Sequence, residues 1–178
     1  MRGIGNISMH HNLFAHNIQR NAAYKTPQVI EQVNNYIYNW RDSGLEISHN
    51  TPANIIGNYF QAGPNSNSYR KPIAIGAGTY SNQNKPWFYL KDNLGKNRPN
   101  SSIDEWQILG NSSDLTQLGY MHAIPPKTMQ SQTPFPTSKY PITTQSAQAM
   151  RALVLAGAGA TKPKRDPVDT RVIASVKN

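Results

Sequence analysis

Three asparagines spaced 23 residues apart constrain this chain more than any other feature. Asn12, Asn35 and Asn58 each precede a bulky apolar pair, in His11-Asn12-Leu13-Phe14, Asn34-Asn35-Tyr36-Ile37 and Gly57-Asn58-Tyr59-Phe60. A fourth, in Asp92-Asn93-Leu94-Gly95, follows after 35 residues, which is one more period plus 12. The flanks hold the same register: Ile7, Ile30 and Ala53 align, as do Met9, Gln32 and Ile55, and Leu13, Tyr36 and Tyr59. Such a period, without helical apolar spacing, suits one coil of a parallel β-helix, in which short strands separated by bends stack residue i over residue i+23. An Asn recurring at one bend can bond both the local backbone and the amide in the next coil, and it tolerates left-handed backbone. The 12 added residues fit Gly63-Pro64-Asn65-Ser66-Asn67-Ser68 or the stretch from Gly76 to Asn84, both rich in turn formers.

The expectation is therefore an all-β fold, a solenoid fragment of about four coils over residues 1–98. Residues 99–178 form a long irregular arm and one or two short helices packing on it. Pro125, Pro126, Pro134, Pro136 and Pro141 block regular structure in the arm. Ser146 is a candidate N-cap for a helix over residues 147–155, ended by Gly157; Asp166-Pro167 starts another reaching Val176. Met1 runs almost at once into strand-like alternation, and no secretory signal is visible. We read it as an internal methionine of a longer protein.

Composition narrows the partners. The 178 residues carry 18 Lys+Arg against 9 Asp+Glu, a net charge of +9, with only 15% charged residues and no cysteine. A disulfide framework, a thiolate metal site and a cysteine nucleophile are excluded. The longest apolar run, around residues 152–156, is too short to span a membrane. The excess of cations points to a polyanionic partner. Nucleic acid has no motif behind it.

The run His10-His11-Asn12-Leu13-Phe14-Ala15-His16-Asn17, then Arg20-Asn21, then Asn34-Asn35-Tyr36-Ile37-Tyr38-Asn39-Trp40, resembles the pectate lyase family of right-handed parallel β-helix enzymes. The segment from Ala158 to Asp166, with Asp169 and Arg171, is similar to the tail of bacterial members. The resemblance implies a polysaccharide lyase that cleaves polygalacturonate (pectin) by calcium-assisted β-elimination, secreted and monomeric. It places the C5 proton acceptor at Arg20 and a substrate-binding cation at Lys25. A guanidinium is a poor base in water, so such chemistry needs neighbouring cations and alkaline conditions.

The chain departs from the family pattern at three points. Ala22 stands where proline is usual, and Lys25 replaces a bidentate arginine with a point charge. None of Glu31, Asp42 and Glu46 falls on a family calcium position, so no metal ligand is assigned. Little lyase activity is expected of these residues alone. The alternative is a non-catalytic β-helix that binds acidic polysaccharide, with Arg20, Lys25, Arg41, Arg70 and Lys71 lining a groove. His10, His11 and His16 are expected to be packed and hydrogen-bonded, and Tyr36, Tyr38, Trp40, Tyr59 and Phe60 to stack in the fold. Lys162, Lys164 and Arg165 read as a solvated basic face. Gly76-Ala77-Gly78 and Gly157-Ala158-Gly159 lack the context of a phosphate loop.

Overall fold

The structure is a computed structural model describing residues 6–66, 72–76, 84–109, 126–137, 141–159 and 161–177. Among the described residues ten short strands form three parallel sheets. The first sheet stacks β1 (Ile7–His10), β4 (Ile30–Val33), β7 (Pro52–Ile56) and β10 (Trp87–Lys91). The second holds β2 (Leu13–Ala15), β5 (Tyr36–Tyr38) and β8 (Tyr59–Gln61). The third holds β3 (Ala23–Tyr24), β6 (Leu45–Ile47) and β9 (Ile73–Ile75). Each coil visits the sheets in the same order, so every pairing is parallel and joins successive coils. This is the parallel β-helix that the 23-residue period implies.

The register reproduces the sequence alignment. Ile7 pairs with Ile30, Ile30 with Ala53 and Ala53 with Phe88; Leu13, Tyr36 and Tyr59 line up likewise. The additional 12 residues are not in one place. The offset is 23 between β5 and β8, 28 between β6 and β9 (Leu45↔Ile73) and 35 between β7 and β10. Five residues are therefore added between β8 and β9 and seven between β9 and β10, so both turn-rich stretches share the insertion. Parts of both, including Arg70 and Lys71, lie outside the described residues.

Inward columns make the core: Ile30, Ala53 and Phe88; Ile37 and Phe60; Leu45 and Ile73; Tyr24, Ile47 and Ile75, all buried. Coils ~4.8 Å apart bring like side chains into contact along the axis. The four bends between the first and second sheets all have left-handed backbone one residue before the ladder asparagine, at His11, Asn34, Gly57 and Asp92 (φ 56, 50, 62 and 56°). At Gly57 a Cβ would run into Asn34 Nδ2 and Gln145 O, so glycine is demanded there by space as well as by φ.

At Phe135 and Gln145 the arm lies against the solenoid, held by side-chain amides acting as strand edges. Asn54 donates to Phe135 O (3.0 Å) and accepts from Phe135 N (2.9 Å); Asn34 does the same with Gln145, at 2.8 Å each way. The chain then enters α1 (Ala147–Gly157), capped by Ser146, and finally α2 (Pro167–Lys177). Met150 and Val154 of α1 and Val176 of α2 bury the outer face of the second sheet, at Tyr36 and Tyr38. Arg165 is no solvated cation: its Nη2 bonds Ala156 O and Ala158 O at 2.9 and 2.7 Å, closing the end of α1. Among the described residues no helix is long and apolar enough to cross a membrane.

Candidate functional site

The outward face of the third sheet is where the predicted site residues fall. Strand alternation turns Tyr24 into the core and leaves Ala23 and Lys25 pointing out; Tyr24 is 1% exposed, whereas Lys25 is exposed. Residues 17–22 make the loop that leads into β3. This loop is clamped onto the next coil: Arg20 N donates to Ser43 O (3.2 Å), Asn21 N to Gly44 O (2.6 Å), and Arg41 N and Asp42 N reach back to Ile18 O. Asn21 is buried, and its amide joins Asn17 and Ser43 O at 2.6 and 3.3 Å.

Within that clamp Arg20 adopts φ 63°. Left-handed backbone costs a non-glycine residue about 1–2 kcal/mol, and the surrounding hydrogen bonds hold Arg20 there. The result is a guanidinium projecting from the loop with its side chain 52% exposed. Its Nε donates to Glu46 Oε2 at 3.1 Å, and Glu46 is the more fixed partner, with only 14% of its side chain exposed. Glu46 sits on the middle strand, β6, with Ala23 and Ala74 as its neighbours in register on either side. An open hollow of about 630 Å³ runs along the loop, lined by Phe14, Asn17, Arg20 and Ala22.

The structure thus puts Arg20 and Lys25 on one exposed face and adds a carboxylate the sequence reading had set aside. The signal for Glu46 was available: it stands one period beyond Ala23, three residues past Arg20. Arg41, the other described cation proposed for the groove, is engaged bidentately by Asp42 at 3.1 and 3.2 Å, which favours its charged form. A second hollow of about 540 Å³ lies between the first coil and α2, but its lining includes Asp169 and no lysine or arginine, the wrong charge for a polyanion.

His10, His11 and His16 each make specific side-chain bonds. His16 Nδ1 lies 2.8 Å from Asn39 Nδ2, and its Nε2 lies 2.7 Å from Ser175 Oγ. His11 Nε2 meets Gln145 Oε1 at 2.6 Å. His10 and His11 do not diverge as strand neighbours would. His11 sits in the left-handed bend, which brings the two Nδ1 atoms to 3.0 Å. Both His10 and His16 are exposed rather than packed inside. Among the described residues no three histidine or acidic side chains gather as metal ligands.

No family model matches the chain, and no solved structure matches it. Curated relatives do. The chain is 31% identical over 182 residues to a probable pectate lyase C of Aspergillus fumigatus, covering 100% of this chain and 38% of that protein. It is 31% identical over 178 residues to the probable pectate lyase C of Neosartorya fischeri, and 29% over 184 residues to that of Aspergillus flavus. The chain spans little more than a third of the length of these relatives, and the similarity runs over 98–100% of this chain.

Proposed function

We propose that the outward face of the third sheet binds polygalacturonate, and that the chain supplies the cationic part of a pectate lyase site. The observation that carries this reading is Arg20, held in left-handed backbone by a loop hydrogen-bonded to the next coil and presented, like Lys25, on an exposed face. Its support is the end-to-end relationship to proteins named as pectate lyases.

In the reaction, the proton on C5 of a galacturonate passes to a base. The C5–H electron pair becomes the C4–C5 double bond, and the C4–O bond breaks with its pair leaving on the glycosidic oxygen, which is then protonated. In this reading Arg20 is the C5 acceptor or, in its charged form, a clamp on a uronate carboxylate, and Lys25 holds a uronate carboxylate by charge without the orientation a fork would give. A divalent cation belongs to this chemistry by resemblance, yet the described residues do not fit one. Glu46 is engaged by Arg20, and among the described residues no three histidine or acidic side chains gather as ligands. Any calcium would draw its ligands from elsewhere. An extracellular location goes with so large a substrate and rests on the same relatives.

Ala22 and Lys25, standing where proline and arginine are usual, favour a second reading, a β-helix that binds acidic polysaccharide without cutting it. Incubating the purified chain and its Arg20→Ala variant with polygalacturonate and calcium, and recording ultraviolet absorbance of unsaturated product, separates the two: product above the protein-free blank that is lost in the variant marks a lyase, and none from either marks a binder. We expect retention on immobilised polygalacturonate with little product. A chain eluting with the void from polygalacturonate, yet retained on DNA, would refute both.

A further inference from the structure

We infer that Glu46 is a positioning residue, holding the Arg20 guanidinium by its Nε edge so that its terminal fork faces the groove. The inference rests on the polysaccharide reading for its ligand and on geometry for its mechanism. Arg20 commits Nε to Glu46 Oε2 at 3.1 Å, while its terminal nitrogens make no bond to a described residue. A guanidinium has five N–H donors in a fixed plane, so fixing the Nε edge orients the two terminal nitrogens, the pair that grips a carboxylate bidentately.

Three coils build the arrangement. Arg20 comes from the loop before β3, and Glu46 from β6 in the next coil. Gly76, just beyond β9, provides room, since a Cβ there would lie 2.9 Å from Glu46 Oε1 and 3.2 Å from its Cγ. Ala23 and Ala74, the register neighbours of Glu46, have no polar side chain to compete for its carboxylate. The carboxylate is 14% exposed against 52% for the arginine, so Glu46 is the anchor and Arg20 the arm.

A negative charge beside a polyanion site also repels the ligand, and this makes the inference sharply testable. Glu46→Gln keeps an oxygen acceptor for Nε and removes the charge; Glu46→Ala removes both. If Glu46 positions Arg20, the full chain carrying Glu46→Gln binds a fluorescent oligogalacturonate at least as well as the unsubstituted chain. Glu46→Ala then binds about fivefold more weakly than Glu46→Gln, the scale of one hydrogen bond. In an Arg20→Ala background the difference between Gln and Ala disappears. Equal binding by Gln and Ala in the Arg20 background overturns the inference and leaves the polysaccharide reading standing. The Arg20 Nε–H resonance of the labelled chain reports independently of any polymer: it is expected to be protected in the unsubstituted and Gln forms and lost with Ala. Protection lost in that order, with no oligogalacturonate binding by any form, would overturn the polysaccharide reading alone. An unprotected resonance throughout overturns the inference. Unchanged thermal unfolding of the variants shows that the fold is intact.

Discussion

At the scale of single residues the asparagine ladder is the feature that builds the molecule, and its ending is more informative than its repeat. Each rung takes the neighbouring backbone N–H and amide: Asn12 on Asn35 (3.0 and 3.0 Å), Asn35 on Asn58 (2.9 and 3.2 Å), Asn58 on Asn93 (3.1 and 2.9 Å). The next oxygen is not an amide. Glu105 Oε1 accepts from Asn93 N (2.8 Å) and Asn93 Nδ2 (3.1 Å), and its Oε2 accepts from Asp92 N (2.8 Å) and pairs with Arg98 (3.0 Å). One carboxylate terminates the column and neutralises an arginine that is 4% exposed. Glu105→Ala is expected to cost about 3–5 kcal/mol, the penalty for leaving a buried charge without its partner. Glu105→Gln, which keeps one acceptor, should cost less. Urea unfolding midpoints measure both, and equal losses would show that the carboxylate charge is irrelevant. The asparagines were legible in the sequence because a stacked coil repeats them at a fixed interval. Glu105 was not, because a carboxylate reached from a 3₁₀ turn (Glu105–Leu109) only 12 residues past Asn93 carries no period.

At the scale of elements, the coils and the helices were readable for different reasons. The helices announce themselves locally. Ser146 accepts from Ala149 N, and Pro167 opens the last helix, so the expected 147–155 and 167–176 differ from the observed ends by only one or two residues. The arm between coils and helices was readable only as proline-rich. Its attachment depends on Asn34 and Asn54 pairing with residues 111 and 81 positions away, and nothing local marks that. The same holds for the site. Arg20 and Lys25 are close in sequence, whereas the Arg20–Glu46 pair exists only once β3 and β6 are in register. Docking of α1 on the second sheet is the element-level joint. Met150 is fully buried there, and Arg151 Nε donates to Tyr36 OH at 3.1 Å while lying over the Tyr36 and Tyr59 rings. Met150→Ala should destabilise by about 2–5 kcal/mol, and amide exchange should speed up in residues 147–157 more than in β4 or β7. Uniform acceleration across coils and helix would mean that α1 and the solenoid open as one unit.

For the molecule as a whole, alkaline pH is the condition that strains the fold, and the tyrosines decide where. Burial pushes the Tyr24 phenol well above its ordinary 10.0; it sits inside the coil and donates to Gln32 Oε1 at 2.9 Å. Tyr36, between the second sheet and α1, is raised chiefly by burial as well, partly offset by the hydrogen bond and charge of Arg151. Unfolded, both phenols ionise at their ordinary value and the chain binds fewer protons than the folded one. Stability therefore falls as pH rises past 10, by about 1.4 kcal/mol per pH unit for each phenol still neutral in the folded state but ionised in the unfolded one. Below that pH their contribution is complete. The chemistry proposed for Arg20 favours alkaline conditions, so activity and fold pull in opposite directions at the upper end. Tyr24→Phe separates them. It loses about 1 kcal/mol at neutral pH with the hydrogen bond to Gln32, but its stability should decline more gently near about pH 11, where one phenol fewer ionises on unfolding. Urea midpoints for both chains across this range provide the measurement. Curves that stay parallel above pH 10 would show that Tyr24 ionises as freely inside the coil as outside it.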